Sequence, residues 1–152
     1  MTYTEFTIRL LVALFAGILI GIEREWKKKP AGIRTNTMVS TGAALFVLLA
    51  FKIAEQAGLQ TDVGRVIGQV VTGIGFLGAG IIFKDGGDIH GLTTAATIWC
   101  SAAIGCIAGA GYFVEAAIGT AAIIFVNFLL NPLDKWLEKR AKEKNVKQRK
   151  LE

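Results

Sequence analysis

The stretch Val70–Phe83, VVTGIGFLGAGIIF, decides how this chain is read. It contains Gly73-Ile-Gly75-Phe-Leu-Gly78, a formal match to the GxGxxG of dinucleotide-binding folds. In those folds the glycines join a strand to a helix, and an acidic residue follows about twenty positions later. Here the motif lies inside an uninterrupted apolar run, Val66–Phe83, with no turn chemistry before it. The position about twenty residues beyond Gly78 falls within another apolar run, so the nucleotide reading fails on context. Glycines in the middle of such a run fit a different role. Lipid offers little hydrophobic drive between helices, so small residues that let two backbones approach favour association. Gly73, Gly75, Gly78 and Gly80 are read as helix-packing positions, and Ala79 extends the face. A second set, Ser101, Gly105 and Gly109, repeats every four residues, and Ala117 and Ala121 add a third.

The rest of the chain supports that context. Its 152 residues are 53% hydrophobic, with 18 glycines and only 2 prolines. Apolar runs long enough to span a hydrocarbon core of ~30 Å occur five times, at Phe6–Ile22, Thr37–Ala54, Val66–Phe83, Leu92–Ala110 and Phe113–Leu130. The expected fold is an all-α integral membrane protein, a bundle of five transmembrane helices over residues 1–131, followed by a basic tail at 132–152. The first run does not read as a cleaved signal peptide. Nothing basic precedes Arg9, and the run ends in GIEREWKKK rather than in a small-residue cleavage site.

Five spans place the connections alternately on two sides. Five basic residues lie in the Glu23–Asn36 loop, one in Lys84–Gly91 and eight in the tail, all on one side. Arg9, Lys52 and Arg65 are left at span ends on the other. The excess of positive charge predicts that the tail is cytoplasmic and the N-terminus outside. The basic run Lys27, Lys28 and Lys29 reads as a headgroup-contacting surface.

In order, the blocks GIEREW, PAGIRTNTMVSTGAALF, QVVTGIGFLGAGIIF and GLTTAATIWCSAAIG closely resemble the MgtC/SapB family of bacterial inner-membrane proteins. The match covers roughly Ala16 to Gly111. The resemblance implies a multi-pass protein of the bacterial inner membrane associated with adaptation to low magnesium. Virulence-type members of that family are thought to restrain the F-type ATP synthase rather than to carry magnesium. Those members carry a C-terminal soluble domain, whereas this chain stops about twenty residues beyond the fifth run. They also typically read GLNTAAT where Thr93 stands here. The membrane module is the part of the resemblance that transfers; the regulatory role transfers poorly.

Candidate functional residues gather in the loops assigned to the cytoplasm. Ionisable groups at the membrane boundary of a bundle are costly unless paired or hydrated. On that ground Glu23, Arg24, Glu25, Arg34 and Asp85 form a candidate cluster, with Thr35, Asn36, Thr93 and Thr94 from the adjoining blocks. A Glu23–Arg34–Asp85 meeting is expected. Asp85 and Asp88, in KDGGDIHG, together with Glu23, could offer oxygens to Mg²⁺, which uses few carboxylates and keeps several waters. Asp and Gly also suit a turn for local reasons, which is the stronger reading. His90 stands alone and reads as an interfacial hydrogen-bonding residue. Gln69 is the one amide well inside the third run. It serves either as a link between helices or as a polar position along an ion path. Glu5 precedes Arg9 by four residues, the favourable order for a helical ion pair.

Cys100 and Cys106 lie about 120° apart around one helix and ~9 Å along it, too far for a disulfide, and they have no metal-binding spacing. The tail places Leu133, Trp136 and Leu137 on one short face of an otherwise charged segment, which suits an interfacial helix rather than nucleic-acid binding. No nucleophile–base pair and no catalytic metal-ligand cluster stands out, so an enzyme is not expected. No cofactor is expected, with Mg²⁺ as the one candidate ligand. The expected partners are the lipid bilayer, a second copy of the chain in a dimer, and a further membrane protein. A regulator or adaptor acting by helix contact is the leading reading; an ion or solute carrier working as an oligomer is the alternative.

Overall fold

In the computed structural model the described residues are 1–58, 60, 62–86 and 88–130. The elements run α1 (Tyr3–Trp26), α2 (Ile33–Ala57), α3 (Val63–Ile81), β1 (Phe83–Asp85), β2 (Asp88–His90) and α4 (Leu92–Ala110), followed by α5 (Phe113–Leu130). All five helices are long and apolar enough to cross a membrane. The tail expected to form an interfacial helix lies outside the described residues.

Local chemistry sets the helix ends. The α1 helix begins before its apolar run because Thr2 and Glu5 form a capping box: Glu5 N donates to Thr2 Oγ1 at 3.2 Å and Thr2 N to Glu5 Oε2 at 2.8 Å. The α2 helix ends at Gly58, whose left-handed backbone closes the last turn. Asp62 caps α3 by accepting from Arg65 N at 3.0 Å. The expected Gly-rich turn between α3 and α4 is a short antiparallel hairpin, with Lys84 opposite Ile89 and Asp85 opposite Asp88.

Helices α1, α2 and α4 form the centre; α3 leans on α4 and α2. Through Ala116, α5 joins a core cluster that contains Ala13, Ala16, Ile20, Ala44, Ile104 and Ala108. Small residues dominate these contacts because the backbones nearly touch. A Cβ at Gly17 would lie 2.7 Å from Thr37 Cα, and one at Gly21 would run into Ile33 Cα. A Cβ at Gly105 would overlap the Ser40 carbonyl oxygen, and one at Gly109 would lie 2.9 Å from the Ala44 oxygen. So α2 is held between a Gly-xxx-Gly face of α1 and the Ser101-Gly105-Gly109 face of α4.

Within a single chain the glycines of α3 do not pack as their spacing suggests. A Cβ added at Gly73, Gly75 or Gly80 would meet nothing within 4 Å, and only Gly78 is buried, where a Cβ would lie 3.6 Å from that of Ala95. The reason is position: α3 sits at the edge of the bundle, so most of its faces meet no other helix of this chain. The Glu5–Arg9 pair is a second correction. Glu5 is engaged in the α1 cap, while Arg9 Nη1 donates to the Gly109 carbonyl at 3.2 Å and its guanidinium sits 5.6 Å from the Phe51 ring centroid. Carbonyls at a helix C-terminus have no partner within the helix, and a cation there also favours the helix dipole.

Candidate functional site

The last turn of α1, the first turns of α2 and α4 and the end of α5 meet at one end of the bundle. Arg24 is the charged centre. Only 3% of it is exposed, and its Nη2 donates to Thr94 Oγ1 at 2.9 Å and to the Pro30 carbonyl at 3.2 Å. Its Nε is buried and has no partner among the described residues. Glu23, 8% exposed, pairs through Oε1 with Lys27 at 2.9 Å, and its Oε2 is likewise buried with no partner among the described residues. Lys27 Nζ also donates to the carbonyl of Asn127 near the end of α5 at 2.8 Å and lies 4.6 Å from the Phe128 ring centroid. Lys27 therefore ties α1 to α5 and is no simple surface lysine, unlike exposed Lys28 and Lys29.

From this end a buried polar seam runs inward between α1, α2 and α4. Asn36, fully buried, donates through Nδ2 to the carbonyls of Ala31 at 2.5 Å and Gly32 at 3.0 Å. Its Oδ1 accepts from Ser101 Oγ at 2.7 Å. One turn further along α2, Ser40 Oγ donates to the Ala13 carbonyl at 2.8 Å. Thr37 and Thr41 hydroxyls, on the same helix, are buried without partners among the described residues. Beyond the seam Ala13, Ala44, Val47, Leu48 and Ala108 are wholly buried and apolar.

The structure brings together only part of the expected cluster. Arg24, Glu23, Asn36 and Thr94 are inside it. Glu25 is exposed and accepts from Ile33 N at 3.2 Å, which supplies the first turn of α2 with the acceptor that its N-cap, Gly32, lacks. Arg34 is exposed and does not pair with Glu23. Two positions are about 200° of helix, so burying Asn36 turns Arg34 outward. Thr35 faces a shallow groove against α3, lined also by Val39, Phe76 and Leu77. Thr93 is exposed, and its carbonyl accepts from Thr97 Oγ1 at 2.8 Å. Asp85 and Asp88 are exposed on the hairpin. Among the described residues no group of three or more His, Cys, Asp or Glu is placed to hold a metal, so Asp85, Asp88 and Glu23 do not assemble into the expected Mg²⁺ site. Gln69 links no helices among the described residues. It is exposed along a groove of about 490 Å³ between α2 and α3, beside Met38, Phe46 and Gly73. His90 stacks against Phe83, ring centroids 5.4 Å apart.

Three features escape a reading of the sequence: Gly17 with Gly21, Ser40, and the bridging role of Lys27. The first two carry a signal, as small or polar residues at four-residue spacing. The third carries none, because it depends on where α5 ends.

Five membrane-length helices around a buried polar seam define a multi-pass helical membrane protein. The chain matches the MgtC family over residues 10–136 and belongs to it, which places it in the bacterial inner membrane. It is 50% identical over 129 residues to Protein MgtC of Brucella abortus, covering 85% of this chain and 52% of that protein. Over 130 residues it is 46% identical to Protein MgtC of Salmonella typhimurium, covering 86% and 54% respectively. An uncharacterized protein of Synechocystis is 43% identical over 137 residues, 90% of this chain and 57% of the relative. The chain thus spans little more than half the length of these curated relatives. No solved structure matches it.

Proposed function

We propose that this chain is a non-enzymatic regulator or adaptor linked to magnesium limitation or ion homeostasis, oriented with its Arg24 end in the cytoplasm and working as a homodimer through helix contacts. The family supports the magnesium link, and the asymmetry of basic residues supports the orientation. The observation that favours regulation over transport is the dead end of the polar seam. It stops at Ser40 and Ala13, and the next turns of α2 are sealed by Ala44, Val47 and Leu48. An ion moving along this seam would have to leave its oxygen ligands there, which disfavours a path through the centre of the bundle and supports the regulatory reading.

Transport is the second reading, and one observation favours it: the buried carboxylate oxygen Glu23 Oε2 has no partner among the described residues, which suits an oxygen that ligates an ion. Reconstituted vesicles loaded with a Mg²⁺-sensitive dye, run beside a low-magnesium growth assay, separate the two. Regulation is upheld if the chain supports growth while its vesicles admit Mg²⁺ no faster than protein-free ones. Influx that disappears in Glu23→Gln establishes transport instead.

A further inference from the structure

The Arg24 end carries more positive charge than the described residues around it balance. Arginine stays protonated in proteins, and a buried guanidinium ordinarily meets a carboxylate. Arg24 meets a threonine hydroxyl and a carbonyl, both neutral, and no carboxylate among the described residues lies within ion-pair distance of it. Its neighbour Glu23 is paired with Lys27, so the three residues together carry one net positive charge. The Thr94 that Arg24 touches is in the first turn of α4, a 19-residue helix whose N-cap, Gly91, offers no side-chain acceptor and whose first turn holds no acidic residue. The positive end of that helix dipole therefore adds to the guanidinium. By contrast, the N-terminus of α2 has Glu25 beside it.

Two buried atoms without partners among the described residues complete the description: the Arg24 Nε–H, a donor, and Glu23 Oε2, an acceptor. They belong to consecutive residues one turn or less before Trp26, which is exposed at the end of α1 where an interfacial tryptophan belongs. We propose that this end of the bundle binds a phosphate monoanion that also carries a hydroxyl. The phosphate oxygens accept from Arg24 and from the free N–H groups of the first turn of α4, and the hydroxyl donates to Glu23 Oε2. The headgroup of a glycerol-bearing anionic phospholipid and inorganic phosphate share this chemistry.

The test uses the full chain. Native mass spectrometry from phosphatidylcholine vesicles with and without phosphatidylglycerol reads retained lipid. Thermal unfolding in detergent with sodium phosphate against sodium chloride at equal ionic strength reads the free anion. Retention of phosphatidylglycerol assigns a lipid site, and stabilisation by phosphate alone assigns a soluble one. Arg24→Lys keeps the charge but loses the forked donor geometry and is expected to weaken binding about ten-fold or more, the size of one charge-assisted hydrogen bond. Lys28→Gln, at an exposed position, is expected to change it less than about two-fold, as a surface charge does. If Arg24→Lys fails to fold, Thr94→Val, which removes one partner of the guanidinium, takes its place. Equal losses in the Arg24 and Lys28 variants mean diffuse surface attraction and overturn the proposal. So does the absence of any retention or stabilisation, which would leave water as the partner of both atoms.

Discussion

Replacing Gly105 by alanine adds one methyl group where the backbones of α2 and α4 meet. That methyl would overlap the Ser40 carbonyl oxygen and lie 2.8 Å from its carbon and 2.9 Å from its Cα. All three atoms are backbone, so no side chain can swing aside, and α2 and α4 must move apart by several tenths of an ångström or more. Overpacking of this kind costs about 1–3 kcal/mol. Separation also stretches the Ser101–Asn36 hydrogen bond, 2.7 Å long and one turn away. An interhelical bond of this type contributes about 0.6 kcal/mol on average in a membrane protein. Gly105→Ala is therefore expected to lose about 2–4 kcal/mol. Gly73→Ala is the matched control: the same change in another span, with nothing within 4 Å, should leave the monomer's stability within about 1 kcal/mol or raise it. Reversible unfolding of both in mixed micelles, followed by tryptophan fluorescence, gives the comparison. If Gly105→Ala unfolds with the parent, the contact between α2 and α4 is not as close as described.

Asn36→Leu removes the acceptor of Ser101 and two donors at the start of α2, and should cost about 1–3 kcal/mol in the same assay. Lys27→Met strands Glu23 and frees the end of α5; about 2 kcal/mol is expected, below the cost of breaking a fully enclosed pair because Lys27 is partly solvated, while Lys28→Met should be silent. Asp85→Asn should leave any stabilisation by Mg²⁺ unchanged, since the carboxylate is exposed on its hairpin; a lost response would place the ion there. A reporter active only in the periplasm, fused after Glu152, should stay silent, and activity would reverse the orientation.

The spans are legible in the sequence because a bilayer sets a length. The fourth and fifth runs coincide with α4 and α5, and the first three differ from their helices by a few residues at both ends, including the ends that Thr2, Gly58 and Asp62 cap. Which glycines pack is not legible. The small residues of α3 and of α4 look alike along the sequence, but the contact depends on which helix lies in the middle. Only the fold shows that α2 does, between α1 and α4, and that α3 stands at the edge. Arg34 and Lys27 exchange roles for a related reason. The sequence reports how far each lies from the membrane, while the outcome turns on helix phase for Arg34 and on the end of α5 for Lys27.

The central contact also explains how the register is chosen. Helices α2 and α4 run in the same direction, and Asn36 meets Ser101, Ser40 meets Gly105 and Ala44 meets Gly109, three pairs at one constant offset. In lipid, apolar side chains gain little from one register over another, so the pattern of small residues must select it. A slip of one or two residues turns Gly105 and Gly109 away from α2 and brings larger side chains into the gap. A slip of four preserves the glycine pattern, so close approach alone would tolerate it. The Asn36–Ser101 bond does not: a slip one way would set Gly105, which has no side chain, beside Asn36, and a slip the other way would set Thr97 there, whose hydroxyl already donates to the Thr93 carbonyl. A buried amide fixing the register of packed helices is known from coiled coils, where a single asparagine does so at some cost in stability. By this reasoning Asn36 holds the alignment, and the glycines permit the closeness that the alignment requires.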